Sequence, residues 1–349
     1  MRKFKISAVI TAMAMVMAMF TANNLNGQNL GGAITCPGIQ TLSCTGTPNS
    51  PIPGTEYTYS VNVSPTGGAY TWFVTTDPNF ISGGVLTSNR ETTTGGIIQA
   101  TGTGYNDSVT GAASIDITWK AKPTTGDLFL VMNYAVTTPC ASNNIKVYKI
   151  NVQNNFAVDV YAVTDPTNTT PGTSLGVNPT DGSEPKICAP NVQSAVYNTS
   201  TSSIDYDYGV TYLYYVIAAG NFYDAADINF QVNIDTTLGS GQTMKVSTSD
   251  DGTGTWTDQT ATSGVYTYNM TNTGFNTSKC VVVRVELTNN TYESTADQKV
   301  LLEVDATTNG GNTKDVLTDS TEATDYAKKS LQTVLARPKV NSTSGDLIP

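Results

Sequence analysis

Histidine is absent from this chain of 349 residues. Histidine is the commonest general base in enzymes and the commonest neutral metal ligand in proteins. Its absence excludes a Ser-His-Asp triad and a zinc site, and it leaves a pair of carboxylates or a calcium site as the remaining options. Nothing in the sequence identifies a cleft that would hold such a pair. We therefore predict that the protein is not an enzyme and carries no cofactor.

Charged residues are also scarce, at 13% of the chain, and most of them are acidic. The 28 Asp and Glu residues outnumber the 18 Lys and Arg residues and give a formal net charge of −10. An acidic surface without a basic stripe repels the phosphate backbone of nucleic acids. We expect no nucleic-acid partner. The predicted partners are other surface proteins, further copies of this chain, or glycans.

No long hydrophobic run follows the N-terminal segment of the sequence. At the N-terminus, three cations precede an apolar run at residues 6–20, and small and polar residues follow it. This order is typical of a secretory signal peptide, and the run is shorter than the roughly 20 residues that a membrane-spanning helix needs. We predict a cleaved signal peptide over residues 1–27, with Ala22 as the alternative end. The mature chain is then exported to the cell surface, the extracellular space or the periplasm without inserting into a membrane.

Helical periodicity is nearly absent, and a period of two residues dominates instead. Apolar and polar side chains alternate in residues 56–63, 114–121 and 227–234. Such alternation places one face of a strand on a core and the other face in water. Clusters of Gly, Asn, Thr, Ser and Pro separate the alternating segments, as expected of turns. The sequence therefore predicts an all-β fold.

The predicted strands divide into two sets, which meet in a short polar joint at residues 153–155. The chain that follows the leader is long for a single sandwich. We predict two tandem immunoglobulin-like β-sandwich domains at residues 28–153 and 154–308, with a barrel as the alternative architecture. Residues 309–349 are predicted to form an extended or irregular tail. Its apolar alternation suits pairing with the edge of the second sandwich or of a neighbouring molecule.

The five cysteines include no C-x-x-C pair. An exported chain meets an oxidising environment, in which disulfide bonds form. We predict a disulfide bond between Cys188 and Cys280, which would link distant strands. One of Cys36, Cys44 and Cys140 must then stay unpaired. We assign a Cys44–Cys140 bond, although the connectivity of these three cysteines stays open.

The stretch SDDGTGTW, at residues 249–256, has the composition of a short motif. Asp251 followed by Gly252 is a strong hairpin signal because both residues tolerate a positive φ. We predict a hairpin turn whose second strand lies at residues 264–270. Weak calcium binding by Asp250 and Asp251 is the alternative, but the glutamate that an EF-hand loop needs six residues after its glycine is missing. A sialidase-type Asp-box is disfavoured because the spacing is off by one residue.

Tyrosine is concentrated in residues 205–217. Alternating tyrosines can form a stacking platform for sugars, or they can line one half-buried face of a sheet. The predicted ligand face consists of Tyr206, Tyr208, Tyr212 and Tyr214. Two tryptophans, Trp72 and Trp119, stand within strands of the first half. We predict that they pack in its core against a cystine, as in immunoglobulin-type sandwiches.

Residues 50–152 contain a Tyr-Thr-Trp strand, an apolar-x-Trp strand and a Cys-x-Ser motif before the last strand. These motifs are Tyr70-Thr71-Trp72, Ile117-Thr118-Trp119 and Cys140-Ala141-Ser142. In them the chain resembles the PKD-like and Ig-like repeats of secreted Bacteroidetes surface proteins, and residues 332–338 look like the closing segment of such proteins. The resemblance implies a β-sandwich fold and a surface location. It also implies O-glycosylation at Asp-Ser and Asp-Thr patterns, with Ser108, Thr236 and Ser320 as the candidate acceptors.

These features predict an exported, non-enzymatic structural or adhesive protein that acts through the surfaces of its β-sandwiches. A carbohydrate-binding protein that uses the tyrosine-rich strand of the second domain is the first alternative. A filament subunit that assembles by strand addition is the second alternative.

Overall fold

The computed structural model describes residues 46–93, 97–98, 105, 108–120, 126–163, 184–222, 227–250, 252, 255–271, 276–308, 313–315 and 329–340. Every regular element within these ranges is a β-strand, so the predicted all-β class is confirmed. No helix in this part of the chain is long and apolar enough to cross a membrane. The predicted signal peptide, Cys36 and Cys44 lie outside the described residues.

The first eight strands form the N-terminal half, and the hydrophobic core that most of them surround is called here the N-terminal core. They are β1 (Glu56–Ser60), β2 (Ala69–Thr75), β3 (Ile81–Ser82), β4 (Val85–Leu86), β5 (Val109–Thr110), β6 (Ser114–Thr118), β7 (Leu128–Val136) and β8 (Ser142–Ile150).

A four-stranded antiparallel sheet in the order β5-β2-β7-β8 forms one layer over the N-terminal core, and the antiparallel pair β1-β6 forms the other. The alternation in β6 shows why this strand packs on one face. Ile115 and Ile117 are fully buried in the core, whereas Asp116 between them points away and accepts a hydrogen bond from Thr58. Strands β3 and β4 form a separate small hairpin.

The two tryptophans of this half lie in the N-terminal core with no exposed surface, which confirms that they are core residues. The prediction that they pack against a cystine is wrong, because Cys140 is a free, exposed cysteine and no described cysteine belongs to this core. Trp119 donates its indole N–H to the Tyr59 hydroxyl at 3.0 Å, and Trp72 donates to the Ala112 carbonyl at 2.8 Å. A hydroxyl and a carbonyl therefore satisfy the two buried indole groups, as buried polar groups require.

Tyr105 binds to the four-stranded sheet through its hydroxyl. It is 3% exposed, and its hydroxyl accepts a hydrogen bond from the Val74 amide and donates one to the Glu91 carbonyl, both at 3.0 Å. Strand β5 pairs only with Thr71 and Trp72 of β2, so the Val74 amide donates to that hydroxyl and not to a β5 carbonyl. The side chain of Tyr105 thus completes the hydrogen bonding of β2.

We expect Tyr105→Phe to lower the free energy of unfolding by about 1–3 kcal/mol, because the Val74 amide is left buried without an acceptor. Urea unfolding followed by far-ultraviolet circular dichroism measures this difference. Tyr70→Phe is the matched control, since the Tyr70 hydroxyl forms no hydrogen bond with any described residue. Equal effects of the two substitutions would contradict the anchoring role.

The remaining strands form the C-terminal half, and the hydrophobic core that most of them surround is called here the C-terminal core. They are β9 (Ala157–Val163), β10 (Lys186–Cys188), β11 (Ser194–Asn198), β12 (Ser203–Asp207), β13 (Val210–Phe222), β14 (Ile228–Asp235), β15 (Thr243–Ser249), β16 (Thr257–Gln259), β17 (Ala261–Thr262), β18 (Val265–Met270), β19 (Asn276–Thr288), β20 (Gln298–Thr308), β21 (Thr313–Lys314) and β22 (Lys329–Leu335).

Two sheets pack face to face over the C-terminal core. One has the order β16-β15-β19-β13-β9, and the other has the order β10-β22-β20-β14-β18-β17 with β21 added beside β20. All pairs are antiparallel except β10-β22. Val152 is the last residue of the N-terminal core and Phe156 the first of the C-terminal core. The predicted domain boundary between residues 153 and 154 falls in this interval and stays a prediction.

Strand β22, which lies in the predicted tail, is an interior strand of the second sheet. It pairs with β20 on one side and β10 on the other, and its residues 330–334 are at most 3% exposed. Ser330 accepts the Ala162 amide at 2.8 Å, and Gln332 donates to the Tyr214 carbonyl at 2.6 Å. These side chains therefore bind β22 to the opposite sheet, beside its edge strand β9.

An ion pair also holds the start of β22. The Lys329 ammonium lies 2.6 Å from a carboxylate oxygen of Glu303 on β20. Burial raises the pKa of Glu303, but the hydrogen bonds from Lys329 and Asn233 and the charge of Lys329 together lower it below its usual value. The pair is partly exposed, so we assign it an alignment role rather than a large stabilising one.

The predicted hairpin at residues 249–256 exists, but its second strand is not the predicted one. Strand β15 pairs with the short β16, whereas residues 265–270 form β18 in the other sheet. Gly252 has a φ of 70° in the connecting loop, and its amide donates to the Ser249 hydroxyl at 3.1 Å. The chain thus crosses between the sheets directly after the hairpin.

The two predicted disulfide bonds are absent from the structure. Cys140 and Cys188 are both free, exposed cysteines, so the Cys44–Cys140 and Cys188–Cys280 assignments are wrong. Cys280 is disulfide-bonded and 6% exposed, and its partner is neither of those two residues. Cys188 ends the edge strand β10, whereas Cys280 lies in the other sheet opposite Ala218. The sequence shows that cysteines are far apart, but not which sheet holds each one.

Candidate functional site

The tyrosines of the predicted ligand face belong to two different parts of the C-terminal half. Tyr206 and Tyr208 lie at the end of the β11-β12 hairpin, whereas Tyr212 and Tyr214 lie on β13. Gly209, with a φ of 73°, separates the two pairs, and its amide donates to the Asp207 carboxylate. The four side chains are therefore not presented by one regular strand.

Tyr206 and Tyr208 stack on each other with ring centroids 5.4 Å apart and an interplanar angle of 17°. Tyr206 is 39% exposed, but Tyr208 is 7% exposed. The guanidinium of Arg337 lies over the Tyr208 ring at 4.7 Å and donates to the Tyr208 carbonyl at 2.7 Å. Tyr208 therefore serves as a packing surface for Arg337, and Tyr206 is the ring of this pair that is open to a ligand.

The β11-β12 hairpin exposes several large apolar side chains. Val196 is 60% exposed and Tyr197 51% exposed, although both lie in a regular strand. Strand β11 pairs with β12 alone, so its other edge has no strand partner among the described residues. A hairpin with an open edge and uncovered apolar side chains is a surface suited to protein contact.

Tyr212 and Tyr214 lie on the face of their sheet that points away from the C-terminal core, because Leu213 and Tyr215 alternate with them and are fully buried. The Tyr215 hydroxyl instead crosses the core and donates to the Val300 carbonyl at 2.7 Å. The alternation of this strand thus separates three neighbouring tyrosines into two outward rings and one structural ring.

Three residues that the sequence did not indicate as ligand contacts join the outward tyrosines. The Arg284 guanidinium lies 4.4 Å from the centre of the Trp256 ring and 5.5 Å from that of Tyr212. Trp256 and Tyr214 have centroids 6.0 Å apart. Glu286 stands opposite Tyr212 in the strand register. We call these five residues the outer-face cluster; they are Tyr212, Tyr214, Trp256, Arg284 and Glu286.

Charged and apolar residues alternate in the second half of β19, and this alternation could have indicated part of the cluster from the sequence. Arg284 and Glu286 are the charged residues in a run of buried valines and a leucine, so they had to share the face away from the core. Trp256 carried no such signal, because it follows the hairpin loop. Only the pairing of β15 with β16 and β19 brings it over Arg284.

The acidic residues that the structure describes do not gather into a metal site. No group of three or more Asp, Glu or Cys side chains able to hold a metal occurs in the described residues. Asp250, one half of the calcium candidate, accepts a hydrogen bond from the Tyr268 hydroxyl. Burial and this bond raise the pKa of Tyr268. Asp251, the other half, lies outside the described residues, so calcium binding stays a prediction.

The three candidate glycosylation acceptors have different surroundings. The Thr236 hydroxyl is half-buried and donates to the Lys299 carbonyl at 2.9 Å. Ser108 is half-buried beside β5, and Ser320 lies outside the described residues. Modification of Thr236 would first require the loss of its hydrogen bond. O-glycosylation at the three positions stays a prediction.

No protein-family model matches the chain. No curated protein matches it either.

The solved structures to which the chain is similar include three bacterial surface proteins, each with low identity. CfaE, the adhesive subunit of CFA/I fimbria of enterotoxigenic Escherichia coli, has 9% identity and a TM-score of 0.29 and aligns over 90% of this chain and 85% of that chain. The full-length major pilin RrgB of Streptococcus pneumoniae has 12% identity and a TM-score of 0.25, over 72% of this chain and 44% of that chain. The collagen-binding domain of Erysipelothrix rhusiopathiae surface protein RspB has 9% identity and a TM-score of 0.20, over 67% and 69%. All three TM-scores are below 0.5, so these similarities do not establish a shared fold.

Proposed function

We propose that this chain is an exported, non-enzymatic surface protein that works by binding, and that its contact element is the open edge of β11. The partner that this edge fits is a second copy of the chain. The supporting observation is that β11 has an unpaired edge, exposes Val196 and Tyr197 by 60% and 51%, and contains no charged residue.

Three other edge strands, β8, β9 and β10, carry features that discourage pairing. Charged side chains on an edge strand, or a covering element, protect it against unwanted strand addition. Strand β8 contains Lys146 and Lys149, and β10 begins with Lys186. Strand β9 is covered because Ser330 of β22 accepts the Ala162 amide. Strand β11 lacks both kinds of protection, which supports a role in pairing.

Antiparallel pairing of two β11 strands about Val196 would place each strand against its own copy. An interface of this kind is isologous and closes with two copies. It would join two hairpins into a four-stranded ribbon, which is more stable than an isolated hairpin in water. The full chain carries a net charge of −10, and removal of the cationic leader makes each copy more acidic still. Salt should therefore strengthen the association by screening the repulsion between copies.

Val196→Lys tests this proposal. We expect the change to raise the dissociation constant of the dimer at least tenfold, or about 1.4 kcal/mol, because it places like charges opposite each other on the paired strands. Sedimentation equilibrium of the leader-free chain at low and high salt measures the constant. Val85→Lys is the matched control, because Val85 is also exposed, at 71%, but lies in the β3-β4 hairpin.

A monomer at all concentrations, or equal weakening by the two substitutions, would refute the β11 contact. Concentration-dependent polymers in place of a dimer would support the filament alternative, since an open polymer requires a contact between two different surfaces. In that case Val196→Lys identifies whether β11 is one of those surfaces.

The absence of histidine supports the non-enzymatic part of the proposal. The chain does contain a G-x-S-x-G pattern at residues 172–176, outside the described residues. A serine nucleophile of that type needs a base, which is usually a histidine. Assay of the leader-free chain with activated esters tests this point, and turnover that is lost in Ser174→Ala would overturn it.

A further inference from the structure

We infer that the outer-face cluster is a binding site for a neutral saccharide, with Trp256 and Tyr212 as its stacking rings and Arg284 and Glu286 as its polar contacts. The site lies on the outward face of β13 and β19, apart from the β11 edge. The inference therefore does not depend on the self-association proposed above.

The rings and the guanidinium are held in place before any ligand binds. Arg284 donates from its Nε to the Ser247 hydroxyl at 3.1 Å, and its guanidinium is stacked against Trp256 and Tyr212. Backbone pairing fixes the positions of Tyr212 and Arg284 on adjacent central strands. Such preorganisation reduces the entropy lost when a ligand binds.

The polar groups around the rings keep hydrogen-bonding capacity for a ligand, since the hydrogen bond that Arg284 makes to Ser247 uses only its Nε. Among the described residues, neither Arg284 nor Glu286 forms an ion pair, and the nearby Lys245 and Asp258 pair with each other at 3.1 Å instead. Within the same part of the chain, the Trp256 indole N–H and the Tyr212 hydroxyl have no hydrogen-bond partner. The cluster thus offers both donors and acceptors beside half-buried aromatic rings.

This combination fits a pyranose ring. The apolar face of a sugar packs against an aromatic ring, and each sugar hydroxyl is both a donor and an acceptor. Arg284 supplies donors to one hydroxyl, and the Glu286 carboxylate accepts from another. A site built to satisfy hydroxyl groups in this way rejects ligands that lack them, because its polar groups would then be buried without partners.

Charge favours a neutral saccharide over an acidic one. The whole chain carries a net charge of −10, and Glu286 lies two residues from Arg284 on the same face of β19. A carboxylate or sulfate on the ligand would approach Arg284 only at the cost of repulsion from Glu286. A hydroxyl experiences no such repulsion.

Affinity electrophoresis of the leader-free chain in native gels tests the inference. The gels contain hydroxyethyl cellulose, glucomannan or xyloglucan as neutral polymers, and polygalacturonate or alginate as acidic polymers. We expect retardation by at least one neutral polymer, with at least tenfold weaker binding for Trp256→Ala. We expect several-fold weaker binding for Glu286→Gln and for Arg284→Lys, which keeps the charge but loses the flat stacking group.

Tyr206→Ala is the matched control, because Tyr206 is an exposed tyrosine outside the cluster. Melting temperatures of all variants separate loss of binding from loss of folding. No retardation by any neutral polymer, retardation by acidic polymers alone, or equal binding by Trp256→Ala and the unmodified chain would each overturn the inference. If Tyr206→Ala weakened polymer binding instead, the sugar contact would lie at the β11-β12 hairpin and not at the outer-face cluster.

Discussion

A chain that ends after residue 328 is expected to lose the folded C-terminal sandwich. The truncation removes β22 from between β10 and β20 and leaves one edge of β20 without its partner. It also removes the hydrogen bonds that Ser330 and Gln332 make to the opposite sheet. A domain is stable by only about 5–15 kcal/mol, so the loss of an interior strand removes most or all of that stability.

Hydrogen exchange measured by mass spectrometry provides the most direct readout of this truncation. Amides of β13, β14, β19 and β20 should lose protection, whereas those of β2 and β7 should keep it because they belong to the other core. Addition of a peptide of residues 329–340 should restore part of the protection, since β22 is a short segment with its own pairing partners. Unchanged protection of β20 after truncation would contradict the interior position of β22.

Point variants show whether the stability that β22 contributes comes from the packing of its side chains. Val334 is 2% exposed and belongs to the C-terminal core, so Val334→Ala should cost about 2 kcal/mol in the free energy of unfolding. Val340→Ala is the matched control, because it makes the same chemical change at a residue that is 93% exposed. Val340→Ala should therefore leave stability unchanged within about 0.5 kcal/mol.

This role of β22 changes how filament assembly must be tested. Deletion of residues 321–349 is an obvious test if the tail extends to a neighbouring molecule. In the structure, however, β22 pairs within its own chain. Loss of polymers after such a deletion would report unfolding as readily as loss of an interface. The β11 edge provides the cleaner test, because Val196→Lys leaves both cores untouched.

The strands could be predicted from sequence because each one buries a single face. The alternation Ile115, Asp116, Ile117 indicates an inward and an outward face without any knowledge of neighbouring strands. The partner of a strand cannot be predicted in the same way, because many alternating segments are compatible with one another. The pairing of β15 with β16, and the insertion of β22 between β10 and β20, depend on contacts distant in sequence.

The candidate site shows the same division. Composition located the tyrosine-rich strand, and alternation correctly separates outward Tyr212 from inward Tyr215. The sequence did not indicate that Trp256 would lie over Arg284, because this contact requires three strands to be in register. The disulfide assignments were wrong for a related reason. A disulfide bond requires two cysteines to lie close together in space, and their spacing along the chain does not report that distance.

Trp119→Ala is expected to be the most destabilising single substitution in the N-terminal half. The side chain has no exposed surface, and its loss leaves a large cavity among Tyr59 and the other core residues. Removal of a buried tryptophan costs about 3–5 kcal/mol. The Tyr59 hydroxyl also loses the indole donor that now lies 3.0 Å away.

Trp119→Phe and Tyr59→Phe separate the hydrogen bond from the packing. Trp119→Phe keeps an aromatic ring, so it should cost less than the alanine variant, and the two phenylalanine changes combined should cost less than the sum of the single changes. This follows because each single change already breaks the indole–hydroxyl bond. The Tyr59 change also breaks the hydroxyl's bond to the Pro48 carbonyl, a cost that appears in both arms of the cycle and cancels. Urea unfolding by circular dichroism gives the four free energies. Strict additivity, or a cost below about 1 kcal/mol for Trp119→Ala, would show that the N-terminal core is not organised around this pair.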